Sequence, residues 1–253
     1  MPYSIMLDAG HGGSDPGAVY QGRKEKDDTL KMTLAIGEIL QNNGVDVVYS
    51  RVTDVYLSPY QRAMLANEAK VDFFISIHRN SFPTDNVVSG VESLVYNKTG
   101  IKYEMAEEIN EQLETIGFVN LGVNARPNLV VLKRTDMPAV LVEVGFVNSN
   151  VDNALFDENF QTIAQVIAEG ILDVLEQEGD LKEEVYSVQT GAFRNPRYAQ
   201  NFLDDLISMD FPAIIEVDDG YYKVRVGRFG DLNEAIEMEQ RLKRAGYPTL
   251  IVT

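Results

Sequence analysis

An α/β domain followed by a small α+β module is the fold this sequence predicts, and three observations carry it. Strand-like and helix-like apolar patterns alternate over roughly the first 175 residues. A charged, aperiodic stretch, Glu176–Glu184, then interrupts them. Beyond it, one 36-residue pattern occurs twice. The expected architecture is a mostly parallel twisted sheet flanked by helices, joined to a ferredoxin-like βαββαβ domain.

Ser4–Asp8 is a short apolar run that ends in the turn Gly10-His11-Gly12-Gly13, and it reads as the first strand. Asp28–Asn42 carries Leu30, Leu34, Ile36, Ile39 and Leu40 at helical spacing, and Gly44 stops it. Val45–Tyr49 reads as a strand. Ser58 is placed to cap a helix that runs to about Ala69, with Pro59 at its first position. Val71–Ile77 predicts a buried strand ending at His78, Val91–Tyr96 another strand, and Tyr103–Thr115 a helix. Val130–Leu132 and Ala139–Val144 are strand-like. Phe160–Leu175 is an amphipathic helix. The predicted boundaries are 1–177 for the first unit, 178–184 for a linker and 185–253 for the second.

The second unit rests on its repeat. Tyr186-Ser-Val-Gln-Thr-Gly-Ala-Phe matches Tyr222-Lys-Val-Arg-Val-Gly-Arg-Phe, and the register holds through Ala199 with Ala235, Leu206 with Leu242, and Ile215 with Ile251. Each copy reads strand, loop, helix, strand. Two copies give four antiparallel strands with two helices on one face, which leaves the other face as a binding platform. Gln189 and Arg225 hold equivalent positions and are assigned to that open face. Tyr186, Val188, Tyr222, Val224 and Val226 alternate with them and are assigned to the core.

Composition narrows the function. The 253 residues are 45% hydrophobic, enough for packed cores. The net charge is −17, with −13 in residues 1–182 and −4 in residues 183–253. Such acidity argues against nucleic acid and against an anionic membrane surface as partners. No run approaches the length of a membrane span, and the amino terminus does not read as a signal peptide. The absence of cysteine excludes disulfides, thiol nucleophiles and Cys-ligated metals.

The chain has two histidines. His11 follows the first strand and His78 ends a buried one, so both fall at strand ends, where open α/β sheets gather ligands. Two imidazoles, a carboxylate and an open position make a zinc site. Glu25 is a candidate third ligand from the loop before the first helix. On spacing alone it competes with Asp8, Asp15 and Asp27. Glu143 sits inside the apolar run Ala139-Val-Leu-Val-Glu-Val-Gly-Phe, where a carboxylate must be desolvated, paired or used as a base.

These residues carry a resemblance. Asp8-Ala-Gly-His-Gly-Gly-Ser-Asp-Pro-Gly-Ala, Glu25-Lys-Asp, Ser50-Arg51, Arg62 with Asn67, Ser76-Ile-His-Arg-Asn and Val142-Glu-Val-Gly-Phe occur in this order. Together they resemble the zinc-dependent N-acetylmuramoyl-L-alanine amidases of the amidase_3 type over about residues 3–177. The resemblance implies zinc on His11, Glu25 and His78, with Glu143 catalytic. Arg79 stands where the family commonly has a small residue, which bears on substrate contacts rather than on the metal. Arg79 and Asn80 are the candidate substrate contacts. The repeat is similar to the SPOR domain, a peptidoglycan-binding module, which implies glycan contacts for Gln189 and Arg225.

The implied activity is hydrolysis of the amide between N-acetylmuramic acid and L-alanine, with peptidoglycan as both substrate and anchor. The alternatives are a zinc peptidase or deacetylase acting elsewhere on peptidoglycan, or a wall-binding protein without catalysis. The substrate lies outside the membrane. The expected settings are therefore a phage endolysin, a mother-cell lytic enzyme, or a secreted autolysin lacking its signal.

Overall fold

The apolar run at the amino end becomes an inner strand of a six-stranded sheet. A computed structural model describes residues 3–181, 186–230 and 232–252. In chain order the first unit holds β1 (Ser4–Ala9), the short hairpin β2 (Val19–Tyr20) and β3 (Arg23–Lys24), α1 (Glu25–Asn42), β4 (Asp46–Tyr49), α2 (Pro59–Ala69), β5 (Phe73–Asn80), β6 (Val91–Val95), α3 (Ile101–Thr115), β7 (Asn120–Ala125), α4 (Val130–Arg134), β8 (Ala139–Phe146), α5 (Asn150–Glu158) and α6 (Phe160–Leu181). The sheet order is β4-β1-β5-β8-β6-β7. Every neighbouring pair is parallel except β6 with β8.

Helices cover both faces of this sheet. Met32, Ile36 and Leu40 of α1, Ile109 and Leu113 of α3, and Ile163, Ile167 and Ile171 of α6 pack with Ile5, Leu7, Phe73, Ile75 and Ile77. On the other face Ala66 of α2 and Val131 and Leu132 of α4 pack with Met6, Phe74, Leu94, Ala139 and Leu141. Side chains alternate along a strand. Ser76, His78 and Asn80 therefore share the face of Phe74, and Glu143 shares that of Ala139 and Leu141.

The N-terminus of α2 forms as its residues require. Ser58 accepts from the backbone of Gln61, whose side chain returns to the backbone of Ser58. Elsewhere the structure corrects the expected elements. Helix α1 begins at Glu25 rather than Asp28, with Glu25, Asp27 and Asp28 in its first turn, where the helix dipole favours acids. Glu25 is thus the first residue of a helix and not part of a loop. Val130–Leu132 is helical, because a three-residue apolar run has no period to separate strand from helix. Strand β7, whose pairing with β6 shifts around Gly122, and helix α5 are additions to the expected elements. Residues 178–181, expected at the start of the linker, extend α6. The rest of the expected linker, 182–184, lies outside the described residues.

The chain divides into compact units at residues 1–179 and 180–253. The second unit contains β9 (Tyr186–Phe193), α7 (Pro196–Ser208), β10 (Ala213–Asp218), β11 (Tyr221–Phe229), α8 (Leu232–Arg244) and β12 (Leu250–Val252). Its antiparallel sheet has the order β10-β11-β9-β12. Repeat mates occupy matching sites: Ala199 and Ala235 are fully buried, as are Leu206 and Leu242. Val188, Val224 and Val226 are core residues, with Tyr222 packed against them. Tyr186 is not in that core. The pairing slips by one residue of β11 between Val226 and Phe229, opposite Val188 and Tyr186, and Phe229, the register partner of Tyr186, is the aromatic that packs on the core.

Leu206→Ala and Leu242→Ala are expected to cost about 2–5 kcal/mol each, and similar amounts, since each truncates a fully buried leucine. Urea titrations of the two variants followed by circular dichroism test this. A large inequality would break the equivalence of the two repeats.

Candidate metal centre

The turn after β1 and the first turn of α1 meet beside the carboxyl end of β5. His11 takes a left-handed backbone conformation (φ 59°), unusual for a residue with a side chain. Its Nε2 lies 3.1 Å from Glu25 Oε1. His78 Nδ1 lies 3.0 Å from the same oxygen. The backbone N–H of Arg79 donates to Oε1 at 3.1 Å, and that of Ala18 donates to Oε2 at 2.9 Å. Glycines make the room. A Cβ on Gly10 would fall 2.4 Å from the His78 ring, and one on Gly17 would fall 2.5 Å from Glu25 Oε2.

Electrostatics bind the cluster together. Burial opposes charge on His11, but the Glu25 carboxylate and then Asp15 outweigh it, and the imidazole is pushed up to about 9. Burial likewise opposes charge on His78, and Glu25 raises it in spite of that. Burial alone would raise the pKa of Glu25. Hydrogen bonds from His11 and His78, with their charges, instead hold it far below the ordinary carboxylate range.

The donor set suits a zinc ion. One ligand atom from each of His11, Glu25 and His78 lies within 4.8 Å of the others. A tetrahedral site with bonds of about 2.0–2.1 Å has edges of about 3.3 Å. The two imidazole–carboxylate separations, 3.0 and 3.1 Å, are close to that edge. The other ring nitrogen of His11, Nδ1, lies 2.8 Å from Asp15 Oδ2. A carboxylate behind a histidine is the usual support of a metal-facing imidazole. Asp15, one of the competing third ligands, thus sits behind the ring. Asp8 is fully buried under Ser50, Ser76 and Arg62.

Glu143 is the neighbour of His78 across β5 and β8. Its Oε2 is buried with no hydrogen-bond partner. Desolvation pushes the carboxyl up to about 7, with Glu25 and Glu92 adding to the shift and His78 opposing it. On the other side Glu143 pairs in register with Glu92 of β6. Glu92 accepts from Asn80 Nδ2 at 2.7 Å and from Asn124 Nδ2 at 2.9 Å. Glu92 and Asn124 went unnoticed in the sequence, although Glu92 interrupts an apolar strand just as Glu143 does.

A cavity of about 250 Å³ opens over the cluster. His11, His78, Leu57, Pro59 and the segment Asn128–Val131 line it. Asn67 braces that wall, bonding the carbonyl of Arg134 at 2.8 Å and the N–H of Asp136 at 3.0 Å.

Arg79 corrects an expectation. It is 2% exposed and cannot touch substrate. Alternation along β5 turns it to the opposite face from His78. There it donates to Asp28 Oδ2 at 2.8 Å and to the carbonyl of Val144 at 3.0 Å, and its guanidinium stacks 4.3 Å from the centre of the Phe156 ring. Asn80 lies on the His78 face, half-buried and bonded to Glu92. In the second unit Gln189 and Arg225 are opposite each other in register. They line an open concavity of about 580 Å³ with Tyr186, Lys223 and Leu250–Val252. Arg225 pairs with Glu216 at 3.0 Å, and Lys223 with Asp218.

Two imidazoles sharing one carboxylate, beside a second carboxylate raised toward neutrality, mark the first unit as the catalytic domain of a hydrolase built on an α/β sheet. The sequence model of Amidase_3, described as N-acetylmuramoyl-L-alanine amidase, matches residues 5–173, and that of the SPOR domain matches residues 182–253. The chain belongs to the Amidase_3 family and is a cell-wall N-acetylmuramoyl-L-alanine amidase with a C-terminal SPOR domain. It is 35% identical over 224 residues to the sporulation-specific N-acetylmuramoyl-L-alanine amidase of Bacillus subtilis, covering 85% of each chain. It is 36% identical over 181 residues to the endolysin of Bacillus phage SPP1, covering 68% of this chain and 65% of the phage protein. The crystal structure of an N-acetylmuramoyl-L-alanine amidase from Clostridium difficile 630 superposes with a TM-score of 0.66 at 31% identity, over 70% of this chain and 99% of that one. Among the described residues no helix is long and apolar enough to cross a membrane.

Arg79→Met is expected to lower stability by about 2–3 kcal/mol, because Asp28 loses one of its two cationic partners. KM for muropeptides should stay within about twofold of the parent. A rise in KM with unchanged stability would return Arg79 to the substrate.

Proposed function

We propose that this amidase is zinc-dependent, with His11, Glu25 and His78 as ligands and Glu143 as the catalytic acid–base. The convergence of one atom from each of the three candidate ligands within 4.8 Å carries this reading. When bound, zinc supplies Lewis acidity, making water nucleophilic near neutral pH and polarising a carbonyl. Glu143 removes a proton from the attacking water, which adds to the lactyl carbonyl of muramic acid. The carbon–nitrogen bond then breaks, and Glu143 returns the proton to the departing amino group of L-alanine. The products are a free lactyl carboxylate and a peptide with a free amino terminus. A carboxyl pushed up to about 7 is suited to both transfers, because it gains and loses a proton near neutral pH. Arg23 and Arg79 hold Asp28 in the first turn of α1, the turn that also carries Glu25.

The second unit anchors the enzyme on peptidoglycan through the sheet face that carries Gln189 and Arg225. Paired charges on this face leave donors for a polar, carboxylate-bearing glycan. The mutual 85% coverage with a sporulation amidase favours a lytic enzyme of that kind, with a phage endolysin as the other setting.

Elemental analysis of the purified full chain is expected to find one zinc per molecule, lost in His78→Ala. Glu143→Ala should keep the metal and lose activity by about 10²–10⁴-fold. Digested walls should gain amino-terminal L-alanine without new reducing ends; new amino groups elsewhere would indicate a peptidase or deacetylase. Full lysis by Glu143→Ala would remove Glu143 from the mechanism. In cosedimentation with purified walls, Glu143→Ala should pellet, and adding Gln189→Ala and Arg225→Ala should leave more protein in the supernatant. Unchanged pelleting would move the binding surface off this face.

A further inference from the structure

Arg51 stands outside the chemistry above, yet it is among the most buried charged residues of the chain, at 3% exposure. It follows β4. Among the described residues its guanidinium forms no ion pair, and its donors go to backbone carbonyls and, from Nη2 at 3.3 Å, to Thr29 Oγ1. Nε donates to Ala9 O at 2.9 Å. Nη2 donates to Gly10 O at 2.9 Å and to Lys26 O at 3.0 Å. Nη1 reaches Thr53 O at 3.1 Å.

The identity of these acceptors gives the arrangement its meaning. Ala9 and Gly10 lead directly into His11, and Lys26 directly follows Glu25. One planar fork therefore ties the strand end that carries an imidazole to the helical turn that carries the carboxylate. Thr29 adds a second tie, donating from Oγ1 to Gly10 O at 2.8 Å. Gly12 packs beside the side chain: a Cβ there would fall 2.3 Å from Val55 O and 3.0 Å from Arg51 Nε. The backbone being held is also the unfavourable one, His11 at φ 59°. A fixed fork spans four carbonyls in a way that the single ammonium of lysine does not.

We propose that Arg51 is a positioning residue of the metal centre: it sets the separation of His11 and Glu25 before an ion arrives, so that binding requires little rearrangement. This rests on the zinc reading above. Arg62 also holds this turn, through Ala9 O and His11 O, but it is the cationic partner of buried Asp8, so its removal would strand a charge.

The test is Zn²⁺ affinity of the full chain, stripped with chelator and titrated against a chromophoric competitor. The variants are Arg51→Lys and Arg51→Ala, each with and without millimolar guanidinium, and Ile167→Val serves as a core control. Circular dichroism in chelator monitors the fold. Both Arg51 variants should bind zinc about 10–100-fold more weakly than the parent. Guanidinium should restore affinity to Arg51→Ala and leave the parent unchanged, and the control should bind as the parent does. Parent-like affinity in the Arg51 variants overturns the proposal, as does an equal loss in the control. A dependence of Arg51→Ala on guanidinium for folding itself, with or without metal, also overturns it by making Arg51 a general fold stabiliser. If the parent binds no zinc, the metal reading fails and the proposal falls with it.

Discussion

One carboxylate oxygen organises the catalytic unit. Glu25 Oε1 receives both imidazoles and a backbone N–H, while Oε2 receives another N–H. A buried anion with so many donors is stable only if they all arrive together. The turn after β1, the end of β5 and the start of α1 must therefore be placed against one another. Much of the surrounding polar structure serves that placement, from the buried pair of Asp8 and Arg62 to the carbonyl contacts of Arg51.

Three glutamates on or beside the same sheet face illustrate how environment divides one side chain into different roles. Glu25 is saturated with donors and stays ionised. Glu92 is held by two asparagine amides. Glu143 lies in register with Glu92 on one side and His78 on the other, and one of its oxygens is left unpartnered in a desolvated position. Desolvation penalises the charged form, and that penalty brings Glu143 toward neutrality. Glu143 and Glu92 meet because the single antiparallel junction of the sheet sets β6 against β8.

The second unit reaches its open sheet face by economy of another kind. A duplicated strand–helix–strand unit buries the same small and branched residues twice, with both helices on one side. The opposite face is left open, and the concavity there is lined by residues of β9, β11 and β12. Tyr186 adds an aromatic side chain to that lining.

Local pattern was enough for much of the molecule. The capping signal of Ser58 and Pro59, the helical spacing of Phe160–Leu175 and the 36-residue repeat are short-range features, and they specify elements wherever the rest of the chain goes. Both histidines were legible as strand-end residues for the same reason, and their motifs were legible through the family resemblance. Elements without a period of their own were not legible, such as the helix of Val130 and Val131 or the edge strand Asn120–Ala125, whose form depends on what they pack against. Spacing left Glu25 level with Asp8, Asp15 and Asp27, because distance along the chain says nothing about which oxygen points at an imidazole 53 residues away. Arg79 marks the same boundary: it is next to His78 in sequence, but alternation and the Phe156 ring send it to the far side of the sheet. Residue types and their order determined the class of fold and the kind of chemistry. Only tertiary packing, which brings distant segments together and decides which face each side chain takes, determined which acid meets the histidines and which one stays unpaired.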